Sequence, residues 1–263
     1  MSRGLGYLPD PPFRAASYRL ATFAPSAYPL RGSLAQHRPA VLDQGSTSSC
    51  VGHGTSTLLA IAAGAWGIQL PIASPRALYR DARAIARRSD SIPLTDDGTY
   101  PSAVVDALEY CGIYPLGSAE SDVHPGNVND EATLTELAVQ RSRLIASPTS
   151  LALYDYTSLA DMVRERIVAR KEPIGLGILI GQEWSDWNGR GLIPQPFEGA
   201  PLGGHWLACD GYEMQRDTVV LKGLNSWGAS WGDSGEWRIS LREVFDSGRL
   251  LQALSFGPPT LLA

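Results

Sequence analysis

The chain has 263 residues, 44% of them hydrophobic, and a formal net charge of −5. That length fits one large domain or two lobes with a real core. There is no basic excess to suggest nucleic acid or an anionic membrane as a partner, and no apolar run is long enough to span a bilayer.

Residues 1–38 carry many Pro, Gly and Ser and no sustained periodicity, so they read as an extended, surface-bound arm. CVGHGTSTLLAIAAG, from Cys50 to about Gly64, suits a buried helix. Gly52 and Gly54 weaken it by about 1 kcal/mol each, which suggests that a close neighbour requires them. Ser74 and Pro75 open a second helix running to about Arg88, with Ser as N-cap and Pro at the first helical position. PSAVVDALEYCG is a third helix, with Gly112 just past its end. Thr157 is the expected cap of TSLADMVRERIVARK, whose Leu159, Met162, Val163 and Ile167 share a face. PIGLGILIG, HWLACDGYE, DTVVLKGLN and SGEWRIS read as strands. Helices gather early and strands late, which points to an α+β chain of two lobes.

The three cysteines, Cys50, Cys111 and Cys209, are too few and scattered for a disulfide framework, and no Cys-x-x-Cys suggests zinc. A reducing compartment is the simpler reading. The first residues lack an apolar signal core, so a cytoplasmic or virion-associated location is expected. Cys111 and Cys209 read as buried small hydrophobes, although Cys209 shares strand parity with His205 and so has a route to the same face.

Cys50 differs because it opens a helix after a run of small polar residues, DQGSTSSC. A thiol attacks as thiolate, and a helix N-terminus or a nearby imidazolium favours that form. Four histidines could supply the imidazole. His53 lies a turn down the same helix and reads as a core residue, while His37 and His124 sit in loop-like sequence. His205 opens a strand after Gly203 and Gly204, where close backbone approach of a ligand is possible. A catalytic histidine needs its second nitrogen held by an acceptor, and Asn225 in LNSWGASWGDSGEWRIS can provide one.

From about Pro39 to Ile239 these segments resemble the papain-like cysteine peptidases. DQGSTSSC resembles the family's Gln-Gly-x-x-x-x-Cys segment, SPRALYRDAR the helix that follows the catalytic one, and DDGTYPSAVVDALEYCGIYP the glycine-rich substrate strand with its next helix. WNGRGLI, GGHWLACDGY and NSWGASWGDSGEWRI resemble the hairpin before the histidine, the histidine segment and the asparagine segment. The resemblance implies a papain-like two-lobed fold, with a helical left lobe, an antiparallel β-barrel-like right lobe and the active-site cleft between them. It divides the chain into an arm (1–38), a helical lobe carrying the nucleophile (39–145) and a β-rich lobe carrying the catalytic His and Asn (146–263).

The implied roles are Cys50 as nucleophile and His205 as general base, then acid. Asn225 would orient His205, and Gln44 with the Cys50 N–H would form the oxyanion hole. Trp227 would cover the His205–Asn225 contact, Gly98 and Thr99 would line the substrate strand, and Gly203 and Gly204 the opposite wall. Trp184, Trp187, Trp231 and Trp237 read as core or lid. The implied partner is a peptide or protein substrate, with no cofactor, metal, nucleic acid or membrane. Thr47 stands where extracellular members carry a disulfide cysteine, Val51 where a Trp is usual, and Trp206 where a small residue follows the His. The large helical pro-region has no counterpart among the 38 residues before the resemblance. The arm around Tyr7-Leu8-Pro9-Asp10-Pro11-Pro12 is a candidate short pro-segment in or near the cleft. Two other functions fit the same residues: a catalytically silent binding or virion structural protein on this fold, and an amidase or transpeptidase acting on cell-wall peptides.

Overall fold

The computed structural model describes residues 4–15, 18–21, 27–90, 96–117, 143–194 and 200–262. His124 lies outside them. In chain order the elements are α1 (Pro12–Ala15), β1 (Arg19–Leu20), β2 (Arg31–Ser33), α2 (Cys50–Ala65), α3 (Pro75–Asp90) and α4 (Pro101–Tyr110). Next come β3 (Arg143–Ile145), β4 (Thr149–Ser150), α5 (Tyr156–Val168), β5 (Ile174–Ile180), α6 (Gln182–Asp186) and β6 (Gly203–Gln215). The chain ends with β7 (Thr218–Leu224), β8 (Glu236–Ser240), α7 (Leu241–Asp246), β9 (Leu250–Ser255) and β10 (Thr260–Leu262). Among the described residues no helix is long and apolar enough to cross a membrane.

Local chemistry accounts for the helix ends. The Ser74 hydroxyl accepts from Ala77 N at 3.3 Å at the start of α3, and Pro101 opens α4. Gly112 has φ of +74°, which suits the residue after a helix end. At α5 the cap is Asp155 and not Thr157: its carboxylate accepts from Ser158 N at 2.9 Å, and Thr157 falls inside the helix. A carboxylate satisfies that N–H and also meets the positive end of the helix dipole, so it displaces the hydroxyl two residues later. Helix α2 is buried on nearly all sides. Its glycines do have close neighbours: a Cβ on Gly52 would lie 2.4 Å from the Pro75 carbonyl oxygen, and one on Gly54 would lie 2.7 Å from Trp206 Cδ1.

Seven strands follow the order β1-β4-β9-β5-β6-β7-β8, and β2 joins β6 as the eighth. The pairs are antiparallel except β1 with β4. Two cores result. One gathers Leu58, Leu78, Val104 and Leu108 from α2, α3 and α4. The other gathers Leu176, Ile178, Leu207, Leu221 and Trp237 from the sheet, with Leu159, Met162 and Val163 from α5.

Strand β6 changes partner along its length. Its first half pairs with β5, as far as Cys209 opposite Ile174, and its second half pairs with β2, from Gly211 opposite Ser33. The change occurs at Asp210, inside a register shift against β7. Asp210 is fully buried and takes a two-pronged contact from Arg38, with Nη2 to Oδ1 at 2.9 Å and Nε to Oδ2. Arg38 also reaches Glu236 at 2.8 Å, so one guanidinium ties the N-terminal segment to β6 and β8. Burial raises the Asp210 carboxyl above its ordinary pKa, and Arg38 pulls it down. An Arg38→Met substitution leaves that carboxylate buried without its guanidinium. It is expected to cost about 3–5 kcal/mol in urea unfolding, and Asp210→Leu added to it should recover most of the loss.

Candidate active site

Cys50 is the first residue of α2, and it is completely buried. Ser49 stands at the cap position, yet its hydroxyl bonds Thr47 Oγ1 at 2.6 Å and His53 Nδ1 at 3.1 Å, and it makes no side-chain cap bond. The positive end of α2 is therefore left without a side-chain cap beside the thiol.

The segment before Cys50 is held by the segment around Asn225. Gln44 N donates to the Ser226 carbonyl at 2.9 Å, and Gly228 N donates to Leu42 O at 3.0 Å. Ser226 Oγ donates to Gln44 Oε1 at 2.5 Å, which turns Gln44 Nε2 the other way. Nε2 donates to Thr47 O at 2.8 Å and to Gly4 O at 2.9 Å.

His205 and Asn225 meet through Nε2 and Oδ1 at 2.8 Å, and both residues are buried. Asn225 Oδ1 also accepts from Ser226 N at 2.8 Å, so the atom facing the ring is the acceptor oxygen. Nε2 must then carry the proton, which leaves Nδ1 with a lone pair. Nδ1 is buried and makes no hydrogen bond. The Trp227 ring lies 4.9 Å from the His205 ring, and Trp231 meets Trp227 edge-on at 5.3 Å. Trp184 meets His205 edge-on at 6.5 Å and stacks on Trp231.

Residues 4–8 do not lie on the surface, as the Pro- and Gly-rich composition suggested. They run through this site. Thr99 N donates to Gly6 O at 2.9 Å, Leu8 N to Thr99 O at 3.1 Å, and Tyr7 N to Gly204 O at 3.2 Å. A Cβ on Gly6 would sit 1.7 Å from the Ser48 carbonyl oxygen, and one on Gly98 would sit 2.1 Å from Gly6 O. Leu5 packs on Gly203. Gly98, Thr99, Gly203 and Gly204 thus all contact the arm. Gly98 is held in turn by Arg83 through its carbonyl and by Tyr79, whose hydroxyl accepts from Gly98 N at 3.2 Å.

Burial dominates the electrostatics. It pushes the Cys50 thiol up to about 11, against the opposing pull of the backbone N–H groups of Trp206, Gly6 and Val51. It pushes His205 down to about 4, with Asn225 opposing. With the arm in place the site holds a neutral thiol and a neutral imidazole. The lowered thiol pKa expected from a helix N-terminus and an imidazolium is absent here, because burial disfavours either charge.

The remaining histidines and cysteines take plain roles. His53 Nδ1 contacts the Ser49 carbonyl at 3.0 Å inside the core, and His37 is half-buried at the end of a short 3-10 turn. No disulfide joins the three cysteines. Cys209 lies in the core of the sheet, with its Sγ 3.6 Å from Gly211 O. Sequence reasoning missed Ser226, which orients both Gln44 and Asn225, although it stands between Asn225 and Trp227 in a segment already singled out. It also left Trp206 unexplained. That ring stacks on Tyr7, with centroids 5.6 Å apart, and lies over Gly175, where a Cβ would be 2.1 Å from Trp206 Cζ2.

No protein-family model matches the sequence, and no curated protein matches it significantly. Solved structures do resemble it. Xylellain, a cysteine protease from Xylella fastidiosa, superposes with a TM-score of 0.70 at 17% identity over 97% of this chain and 96% of that one. The procathepsin L2 proteinase of the Tenebrio molitor larval midgut gives 0.68 at 16% identity over 94% and 76%. The procathepsin B S9 of Trypanosoma congolense gives 0.67 at 16% identity over 98% and 87%. The chain has the papain-like fold.

His53, like His205, is pushed by burial down to about 4. Each binds a proton near pH 6.5 when unfolded and only near pH 4 when folded. Their contribution to stability is full above pH 6.5 and falls as the pH drops toward 4, by up to about 3 kcal/mol each. Urea midpoints measured at pH 7 and pH 4.5 should fall less in His53→Gln than in the wild type.

Proposed function

We propose that the chain is a cysteine-type endopeptidase, held closed by residues 4–8 of its own arm. The observation that carries this reading is the fixed tautomer of His205: Nε2–H points at Asn225, and the basic Nδ1 has no partner. The strand bearing it brings the next backbone N–H, that of Trp206, to the Cys50 thiol. The likeness to structures named as cysteine proteases supports the same chemistry.

Once the arm leaves, a peptide carbonyl can take its place. His205 Nδ1 accepts the Cys50 proton as Sγ bonds to the carbonyl carbon. The oxygen becomes negative and is met by Gln44 Nε2, a donor now engaged by the Gly4 carbonyl, and by the Cys50 N–H at the uncapped end of α2. The tetrahedral species collapses and the C–N bond breaks. The His205 proton goes to the leaving amine, and a thioester remains on Cys50. Water, deprotonated by the same nitrogen, attacks the thioester and returns the thiol. Asn225 keeps the ring in one orientation throughout, and Trp227 shields their contact from water. No cofactor enters the scheme.

The arm suits an inhibitor better than a substrate. It offers Cys50 the Gly6 N–H, a donor that stabilises the sulfur where it stands. It also runs parallel to the substrate strand at Tyr7 and Thr99. Two of the superposing structures are named as proforms, which supports a pro-segment role. The neutral thiol and imidazole of the closed site are equally what a silent scaffold would have, so activity has to be tested with the arm displaced.

Gly6→Val in the full chain does this, because its side chain has no room against Ser48 O. An epoxysuccinyl-peptide thiol trap should label Cys50 at least about tenfold faster in Gly6→Val than in wild type, as read by intact mass and peptide mapping. Adding His205→Ala should abolish the gain. Labelling that stays slow in Gly6→Val, or that ignores His205, would sink the peptidase reading. In the Gly6→Val background, Gln44→Ala should lower kcat about 10²–10³-fold with a smaller change in KM.

A further inference from the structure

Tyr7 fills a pocket that the chemistry of Cys50 does not use. Its ring is 3% exposed and stacks on Trp206 at an interplanar angle of 21°. On the other side lies Gly177, where a Cβ would come within 2.1 Å of Tyr7 Cζ and 2.3 Å of its hydroxyl oxygen. The hydroxyl donates to Gln252 Oε1 at 3.2 Å. These three residues form one row across the sheet: Trp206 on β6 is opposite Gly177 on β5, and Gly177 is opposite Gln252 on β9. The row makes a flat slot with an aromatic wall, a floor without side chain and one polar end.

The slot adjoins the reacting atoms. Tyr7 follows the residue whose N–H reaches Cys50, and its own N–H is held by Gly204. An extended chain bound between Thr99 and Gly204 therefore directs one side chain into the slot.

We propose that this pocket selects a tyrosine side chain of the peptide substrate, with Trp206 stacking on the ring, Gly177 making room for it and Gln252 recognising the hydroxyl. The proposal rests on the peptidase reading for the word substrate; the slot itself does not. A leucine lacks the flat face that matches Trp206. A phenylalanine fills the slot but leaves the Gln252 amide facing carbon. A site built to bond a hydroxyl discriminates against the analogue that lacks it. Gln252 Nε2 is held by Asp10 Oδ2 at 2.8 Å, and Asp10 belongs to the arm. Release of residues 4–8 removes Tyr7 and leaves the amide with its acceptor, and release of Asp10 as well would free its donor. Either atom can pair with a phenol, which donates and accepts.

The test uses the full chain carrying Gly6→Val and Tyr7→Ala, with Gly6→Val alone if the double variant does not fold. The probe is a pool of random heptapeptides. One arm reads, by mass spectrometry, the peptides retained by the Cys50→Ala form of the variant, which needs no turnover. The other reads the peptides cleaved by the form with Cys50 intact. Both sets are expected to favour tyrosine over phenylalanine by about tenfold at one position. Gln252→Leu should erase or reverse that preference. Cleavage and retention without a tyrosine preference, or a preference that survives Gln252→Leu, would overturn the proposal and leave the peptidase standing. Tyrosine-selective retention without cleavage would uphold the pocket and remove the peptidase reading.

Discussion

The site depends on one short pairing of backbone, Leu42–Gln44 against Ser226–Gly228. The first segment leads into α2 and belongs to the helical half; the second follows β7 and belongs to the sheet. Two backbone hydrogen bonds and the Ser226 hydroxyl set Gln44, Cys50, Asn225 and His205 relative to one another. Two of these side chains are oriented by a partner at one end: Gln44, whose Oε1 is taken by Ser226 so that Nε2 faces the Gly4 and Thr47 carbonyls, and His205, whose Nε2 is taken by Asn225 so that Nδ1 is left over. Preorganisation here consists of satisfying the other end of each polar group.

The neutral state of the site follows from burial more than from any strong bond to the arm. Burial raises the Cys50 thiol and lowers the His205 imidazole, so neither is charged. The arm can sit this close because its backbone at Gly4 and Gly6 approaches the Thr47 and Ser48 carbonyls within distances that no side chain would allow. Asp10 then anchors the next stretch to both halves, accepting from Ser102 on α4, from Gln252 on β9 and from Tyr18 within the arm.

Much of this was legible in the sequence, and the limits are instructive. The α+β order and the three early helices could be read because each rests on a local signal, a cap or a periodicity, and motifs with fixed spacing singled out Gln44, Cys50, His205 and Asn225 as candidates. The Gly112 helix end followed from the same logic. The cap of α5 did not, because Asp155 and Thr157 are both acceptable caps and only the chain path chooses between them. The composition of the arm pointed to the surface because it reports loss of regular structure and says nothing about depth; a place in or near the cleft was legible only as a second reading, of a short pro-segment. The glycines of β5 were harder still. PIGLGILIG reads only as a strand, with no role for Gly175 and Gly177. In the fold they are alternate residues on one face, and the space they leave holds the rings of Trp206 and Tyr7. That placement involves β5, β6 and the arm, which lie far apart in the sequence, so no local pattern could reveal it. It also explains Trp206, whose size is possible only beside those glycines.

The chain that leaves the site is not lost from it. Beyond Asp10 it is stitched back to the sheet at β1, beside β4, and at β2, beside β6. A displaced arm would remain on a tether of eight residues, 11–18, between Asp10 and β1. A tethered segment of that length competes at an effective concentration in the millimolar range, whatever the dilution of the protein. On the proposed reading, every substrate would have to outcompete a resident rival, and its apparent affinity would be its intrinsic affinity multiplied by the fraction of molecules that are open. Opening would be a reversible equilibrium, insensitive to protein concentration, until the tether is cut. A single scission between Asp10 and β1 would turn the rival from a neighbour into a solute.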